Sequence, residues 1–207
     1  MAIILPLLES KMINKKYLLE CSVSKFLKFG SKSFTLDELS KDLGISKKTI
    51  YKHFKNKKDL VSNSISFLIE NYTEEYKNEI DKIEDPIEKV IVIYEIGLKY
   101  LKHFKPSFLF GLKKYYPKAD EIFEDFKVKI VNETVYGFLN DAKTKGYIRD
   151  DVDLKLVCEL YFLRMENVTF KNKNLFETYS LETLLQHLII NNIKGITTST
   201  YSSPYFE

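Results

Sequence analysis

Hydrophobic positions recur at helical spacing along nearly the whole chain. In residues 13–29, apolar side chains stand three or four positions apart with lysines between them, and later segments repeat this spacing up to residue 194. The pattern contains no convincing strand and no internal repeat. It predicts an all-α fold with nine helices: 13–29, 35–42, 47–53, 57–83, 86–104, 106–116, 117–145, 153–171 and 181–194.

Capping residues and the few turn-forming residues mark the helix boundaries. The 207 residues include only 7 Gly and 5 Pro, well below average usage, which disfavours an all-β sandwich or barrel. Thr35 and Glu38 form a capping box, and Ser46 and Asn56 stand at N-cap positions. Three glycines fall inside predicted helices, where we expect a kink or a close approach to a ligand: Gly97, Gly111 and Gly137.

The charge divides the chain into two parts that the overall net charge of +3 conceals. Residues 1–58 hold 13 Lys and 5 acidic residues, a net of +8, whereas residues 59–207 have a net of −5. We therefore predict a basic helical head at residues 12–58 and a mildly acidic helical body at residues 59–195. The remaining segments, 1–11 and 196–207, are predicted to be flexible termini.

Several classes of function are disfavoured by the composition. Two cysteines, Cys21 and Cys158, and three histidines cannot supply a disulfide framework or a multi-residue metal centre. The glycines are dispersed, so no phosphate-binding loop is present, and we expect neither an enzyme nor a cofactor. No stretch approaches the roughly 18 to 20 apolar residues that span a bilayer. Reduced thiols fit a cytoplasmic protein, and no membrane association is predicted.

Residues 35–53 have the pattern of a helix-turn-helix. Gly44 supplies the turn, and Leu39, Ile45 and Ile50 would hold the two short helices together. Cations, a hydroxyl and polar aromatic groups then face outward on the second helix, followed by further lysines, and they suit phosphates and base edges. These residues are Lys47, Lys48, Thr49, Tyr51, Lys52, His53, Lys55, Lys57 and Lys58. An ordinary helical hairpin with a solvated lysine face is the alternative; the order of capping box, turn glycine, second cap and basic face favours DNA.

The run Ile-Ser-Lys-Lys-Thr-Ile-Tyr-Lys-His-Phe-Lys-Asn-Lys, residues 45–57, resembles the signature of the TetR-type (tetracycline-repressor-like) transcriptional regulators. The first helix, with Phe26 and Gly30, is similar to the same pattern. Two positions depart from it. Lys48 stands where the family often has Gly and adds a charge at the DNA surface. Ser31 stands where the family has an aromatic residue, and we expect Phe34 to replace that aromatic in the core.

The resemblance implies a role for each residue of the helix-turn-helix surface. Thr35 would touch phosphate at the start of the first short helix, and Lys47, Lys48 and Thr49 would approach the bases. Tyr51 and His53 would hold phosphates, and Lys57 would lie over the DNA backbone. The predicted DNA-binding set is Thr35, Ser46, Lys47, Lys48, Thr49, Tyr51, Lys52, His53 and Lys57.

The resemblance also implies a ligand-binding and dimerisation body. A homodimer would form through helices 153–171 and 181–194, which carry apolar residues in excess: Leu156, Leu160, Leu163, Leu181, Leu184, Leu185, Leu188 and Ile189. An aromatic-rich stretch would bind a small apolar or aromatic effector, with Tyr94, Leu98, His103, Phe104, Phe108, Phe126 and Tyr136 as pocket residues.

We therefore predict a repressor that its effector releases from operator DNA. The alternative is a constitutive DNA-binding regulator, or an interaction protein, without a small-molecule ligand. An aromatic core and an aromatic pocket have the same composition, so both interpretations stay open at the level of sequence.

Overall fold

The computed structural model describes residues 14–30, 34–170 and 175–207. The predicted N-terminal extension 1–11, and Ser31, lie outside these ranges. Within them no helix is both long and apolar enough to cross a membrane. The helices are α1 Lys15–Phe29, α2 Leu36–Asp42, α3 Lys47–Tyr51, α4 Lys57–Ile80, α5 Pro86–Leu101, α6 Pro106–Tyr115, α7 Pro117–Lys129, α8 Tyr136–Thr144, α9 Leu154–Phe170, α10 Leu175–Thr178, α11 Leu181–Leu185 and α12 Asn191–Ile196.

The all-α prediction is confirmed, and the described ranges contain one isolated β-bridge, Ile148 to Thr197, but no strand. Two helices predicted as continuous are interrupted by π-helical turns, Ile130–Val135 between α7 and α8 and Gln186–Ile190 between α11 and α12. A π turn inserts a residue without ending the helix, so hydrophobic spacing does not reveal it. The short helix α10 was not predicted, because four residues are too few to show a period.

The predicted caps of the head are confirmed, and they explain why its short helices begin where they do. The Glu38 backbone N–H donates to Thr35 Oγ1 at 3.1 Å, and the Thr35 N–H donates to Glu38 Oε2 at 2.9 Å. Asn56 accepts from the Asp59 N–H at 3.0 Å and thereby starts α4. These bonds satisfy N–H groups that the first turn of a helix leaves unpaired.

Two hydrophobic clusters form the core. One lies within the body and centres on α5, α8 and the C-terminal helices. The other fills the head, and it continues across residue 58 into α4, α6 and the start of α7. Phe34, which we expected to replace the missing aromatic, is 2% exposed, and its ring centroid lies 4.6 Å from that of Phe26 in an edge-to-face arrangement. Head and body are therefore joined by shared apolar packing.

The C-terminal segment 196–207 corrects our prediction of a flexible terminus. The Tyr201 hydroxyl donates to Asp85 Oδ1 at 3.0 Å, and the Ser203 hydroxyl donates to Glu88 Oε1 at 2.9 Å. The Tyr201 ring packs 4.9 Å from that of Tyr147. The segment lacks helical periodicity, but its tyrosines gain burial against the body and its hydroxyls reach acceptors at the N-terminus of α5. It ends in a short 3-10 helix, Pro204–Phe206.

Candidate nucleic-acid interface and body cavity

Helices α2 and α3 meet through a tight turn that fixes the face α3 presents. Gly44 has a φ of +62°, a conformation that favours glycine. The Gly44 N–H donates to the Lys41 carbonyl at 3.2 Å, and the Ile45 N–H donates to the Ser40 carbonyl at 2.9 Å. Leu39 and Ile50 are fully buried between the helices. This arrangement orients the opposite side of α3 towards solvent.

The outward side of α3 carries polar, basic and aromatic groups. Lys48 and Lys52 are exposed, and Tyr51 is 52% exposed although it is a large aromatic residue. Helix α3 ends at Tyr51, two residues earlier than predicted, and the turn that follows half-buries His53 beside the Phe54 ring. A surface of this composition fits a polyanion better than it fits another protein core.

Three of the predicted DNA-contacting residues already have partners within the head. Lys47 Nζ lies 2.7 Å from Asp37 Oδ1, and this hydrogen bond to the carboxylate raises the pKa of Lys47. The Ser46 hydroxyl caps α3 by accepting from the Thr49 N–H at 3.2 Å, and the two side-chain hydroxyls lie 3.0 Å apart. These contacts fasten α3 to α2 and define its first turn.

Thr35 and Lys57 lie further from the centre of this surface. The Thr35 hydroxyl donates to Glu38 Oε2 at 3.0 Å and is exposed at the start of α2. Lys57 Nζ lies 5.8 Å from the Phe34 ring centroid and 5.7 Å from that of Tyr116. Both distances are within the range of a cation–π interaction. The structure thus places Lys57 against the junction of head and α6.

The described residues contain no group of three or more His, Cys, Asp or Glu side chains that could hold a metal ion. Both cysteines are free, and burial raises the pKa of the Cys158 thiol to about 11. That thiol is protonated at neutral pH, which is unfavourable for nucleophilic chemistry.

The body contains a cavity of about 130 Å³ between α4, α5, the α7–α8 segment and α9. Its wall is almost entirely apolar and is formed by Leu68, Ile69, Tyr72, Ile93, Tyr94, Gly97, Tyr100, Leu101, Phe104, Phe123, Phe126, Lys127, Ile130, Val131, Val135, Phe162 and Met165. Gly97, one of the glycines we singled out, lies on this wall. A methyl group added there would meet Tyr72 Oη at 3.5 Å, an ordinary contact.

The predicted pocket residues divide into those on the cavity wall and those elsewhere. Tyr94, Phe104 and Phe126 line the cavity. Leu98 is fully buried in the body core, His103 is exposed, Phe108 packs in the head cluster, and Tyr136 lies against the body cluster. The sequence predicts these four as pocket residues because they lie in or beside the aromatic-rich stretch. Neighbouring positions of a helix are rotated by about 100°, however, so their side chains point to different faces.

The pocket predicted from the sequence contains none of the cavity-wall residues that α4 and α9 contribute. Leu68, Ile69 and Tyr72 come from α4, and Phe162 and Met165 come from α9. Their apolar spacing marks a buried face, but it does not tell which buried positions border a void. Only the packing of helices distant in sequence determines that.

Hydrogen bonds engage two of the three tyrosine hydroxyls on the wall. The Tyr72 hydroxyl donates to the Ile93 carbonyl at 3.0 Å, and the Tyr100 hydroxyl donates to Glu75 Oε2 at 2.8 Å. Burial raises the pKa of both tyrosines. The Tyr94 hydroxyl is buried and has no hydrogen-bond partner.

Aromatic side chains connect the cavity to the head. Phe104 and Phe123 line the cavity and also belong to the head cluster. Their ring centroids lie 6.0 Å apart in a stacked arrangement, and Phe104 packs edge-to-face on Phe108 at 5.4 Å. A molecule that moved either ring would therefore disturb the apolar contacts beneath the helix-turn-helix.

A leucine stripe lies on the outside of α9. Leu156, Leu160 and Leu163 are 52%, 41% and 47% exposed, and their spacing of four and three residues places them on one helix face. Leu184, Leu185 and Ile189 of the last helices are instead buried within the protomer. The apolar excess that we noted in the sequence is thus exposed mainly on α9.

Comparison with known proteins agrees with this architecture. Residues 18–63 match the family described as bacterial regulatory proteins, tetR family. The uncharacterized HTH-type transcriptional regulator YhgD of Bacillus subtilis is 35% identical over 73 residues, which cover 35% of this chain and 36% of that protein. The HTH-type transcriptional repressor KstR2 of Mycobacterium tuberculosis is 20% identical over 147 residues, which cover 68% of this chain and 72% of KstR2.

A similar fold occurs in the solved structure of the transcriptional regulator FadR from Bacillus subtilis in complex with stearoyl-CoA. The two structures align with a TM-score of 0.70 at 17% identity, over 86% of this chain and 97% of FadR. Residues 18–63 thus match the tetR family of bacterial regulatory proteins, and the chain as a whole has a fold similar to that of the solved FadR structure.

Proposed function

We propose that this protein is a transcriptional repressor that binds operator DNA as a homodimer and is released by a small apolar effector. The observation that carries the proposal is the outward face of α3, where Lys48, Tyr51 and Lys52 are exposed on a helix whose opposite face packs through the buried Ile50. This face belongs to the segment whose net charge is +8. The repressors among its relatives support the direction of regulation.

Salt titration of duplex DNA binding tests this surface. Lysines that neutralise phosphates release counterions, so the logarithm of the binding constant should fall linearly with the logarithm of salt concentration. We expect a steep negative slope for the intact protein. A flat slope would contradict the proposal, because the exposed lysines would then not be contacting phosphates.

Dimerisation through α9 is supported by its leucine stripe. An exposed apolar row on one helix face is typical of an interaction site. One helix of five residues reads few base pairs, and two copies related by a two-fold axis would read two half-sites.

The cavity in the body supports the effector response. It is almost as large as an engineered apolar cavity of about 150 Å³ that binds benzene, so a ring-sized apolar molecule fits with little rearrangement. A longer molecule, such as the acyl chain named for FadR, would require the cavity to expand. Entry of the effector would shift Phe104 and Phe123 and, through them, the packing of the head cluster.

An effector acts only through its different affinities for the DNA-binding and released states. Allosteric couplings of about 1–3 kcal/mol are typical, and the aromatic contacts shared by cavity and head provide a physical route for a coupling of that size. A thermal-shift screen with apolar compounds should find molecules that raise the melting temperature. Stabilising compounds that leave operator affinity unchanged would favour a constitutive regulator.

A further inference from the structure

An acidic side chain borders the proposed DNA-binding face. Asp37 is the second residue of α2, and its side chain is 73% exposed. Its Oδ1 lies 2.7 Å from Nζ of Lys47, the first residue of α3, whose side chain is 49% exposed. The pair therefore bridges the two helices of the helix-turn-helix at the surface, where both solvent and a bound duplex can reach it.

The position of Lys47 places this pair next to the bases of a bound duplex. The N-terminal residues of a recognition helix contact base edges in the major groove, and Lys47 begins α3. The pKa of Lys47 is raised first by its hydrogen bond to Asp37 and further by Tyr51, which lies one helical turn later and is 52% exposed. Asp37 thus belongs to the part of the face that would approach the bases.

A carboxylate at this position opposes binding to DNA of arbitrary sequence. Non-specific binding comes from cations that neutralise phosphates, and Asp37 cancels the charge of Lys47 and itself repels phosphates. A base edge offers hydrogen-bond donors and acceptors without a net charge. The Lys47 ammonium has three N–H donors, so it can keep Asp37 and also donate to guanine O6 or N7. The pair can therefore contact a base without adding to the attraction for phosphates.

The stability of α2 does not require the pairing. An acidic residue in the first turn favours a helix because of the helix dipole, and Glu38 at the next position completes the capping box. An ion pair between exposed side chains contributes little to folding. The consequence of placing Asp37 beside Lys47 is therefore expected in DNA binding.

We propose that the Asp37–Lys47 pair sets the selectivity of DNA binding, in which Asp37 holds Lys47 away from the phosphates of arbitrary DNA and directs it to a base edge. The inference rests on the proposed operator binding and names a residue that discriminates between the operator and other DNA. Lys47 is the group that contacts the base, and Asp37 is a positioning residue that acts through it.

Asp37→Asn tests the pair, and Asp42→Asn is the matched control. Both substitutions remove one carboxylate from α2, but Asp42 pairs with Lys25 of α1. Fluorescence anisotropy on a random-sequence duplex pool should show several-fold tighter binding of Asp37→Asn at low salt. The slope of log affinity against log salt should steepen by about 0.9, the value of one added phosphate contact. Asp42→Asn should leave the slope unchanged.

Two further measurements separate the role of Lys47 from the selectivity. Lys47→Ala in the Asp37→Asn background should return the salt slope to that of the unsubstituted protein. The second probe is a duplex that the protein enriches from the random pool. The ratio of its affinity to that of the pool should fall at least about fivefold in Asp37→Asn, the lower end of the discrimination given by one base contact. The melting temperature should be the same as that of the unsubstituted protein.

Equal salt slopes in Asp37→Asn and Asp42→Asn would overturn the inference and leave the pair as a structural link between α2 and α3. Weaker binding of the random pool by Asp37→Asn would overturn it as well, as would equal gains for the pool and the enriched duplex. If the unsubstituted protein bound no duplex, or enriched none, the proposed operator binding itself would fail.

Discussion

Lys47 and Lys48 are adjacent in α3 but lie in different surroundings. Lys47 pairs with Asp37 and fastens α3 to α2, whereas Lys48 is exposed. The resemblance of the sequence to the TetR family placed both at the bases. The ion pair depends on the angle between two helices, which the sequence pattern does not specify. At this scale the caps and the turn glycine were predictable, because each depends on neighbours within four residues.

We expect Lys48→Ala to weaken duplex DNA binding by about 1–3 kcal/mol, because the substitution removes an exposed cation from the centre of the proposed interface. Fluorescence anisotropy on a labelled duplex measures the change. Lys77→Ala is the matched control, since Lys77 is also exposed but lies 20 residues along α4 from Lys57, roughly 30 Å at the rise of a helix. Equal losses in the two variants would mean that Lys48 contributes only net charge.

At the scale of elements, the helices were predictable and their interruptions were not. Asp85 caps α5 by accepting from the Ile87 and Glu88 N–H groups at 2.8 Å and 3.1 Å, as local sequence rules anticipate. The same carboxylate also accepts from Tyr201, which lies 116 residues away. A hydrogen bond of that range has no periodic signature, and the C-terminal segment was therefore assigned wrongly as a flexible terminus.

Tyr201→Phe should lower the free energy of unfolding by about 1–3 kcal/mol at pH 7, because it removes a hydrogen bond to a charged acceptor. Burial and the nearby Asp85 raise the pKa of Tyr201 above its ordinary value near 10. The folded state thus favours the neutral phenol. This contribution is fully present below pH 10 and is lost as the pH rises through the raised pKa.

Chemical denaturation between pH 7 and pH 11 measures both effects. The unsubstituted protein should lose stability above pH 10 more steeply than Tyr201→Phe does. Tyr179→Phe is the control, since Tyr179 is 51% exposed, and it should change neither the stability nor its pH dependence. If the free energy of unfolding of the protein and of Tyr201→Phe changed in parallel with pH, the hydrogen bond from Tyr201 to Asp85 would not stabilise the fold.

At the scale of the whole molecule, shared aromatic packing connects the basic head, which we propose binds DNA, to the cavity in the acidic body, which we propose binds the effector. The basic head and acidic body were visible in the sequence as a division near residue 58. The structure adds that the head cluster crosses this position and reaches the cavity wall at Phe104 and Phe123. Composition suggested a pocket, but the wall residues of α4 and α9 depend on packing between helices distant in sequence.

Leu160→Glu should disrupt the proposed dimer, because it places a carboxylate in the centre of the leucine stripe of α9. Burial of an unpaired charge should raise the dimer dissociation constant by about 100-fold or more, as measured by sedimentation equilibrium. Phe110→Glu is the control, since Phe110 is 65% exposed on α6. Dimerisation unchanged by Leu160→Glu would exclude this face as the interface.

Selection of binding sites from a random pool of duplex DNA by the intact protein tests the central claim most directly. A homodimer that presents two α3 helices should enrich a sequence with two-fold symmetry, in which the half-sites are about one helical turn or more apart. Unselective recovery of DNA, or enrichment of a single unsymmetric site, would contradict the assignment of this protein as an operator-binding dimer.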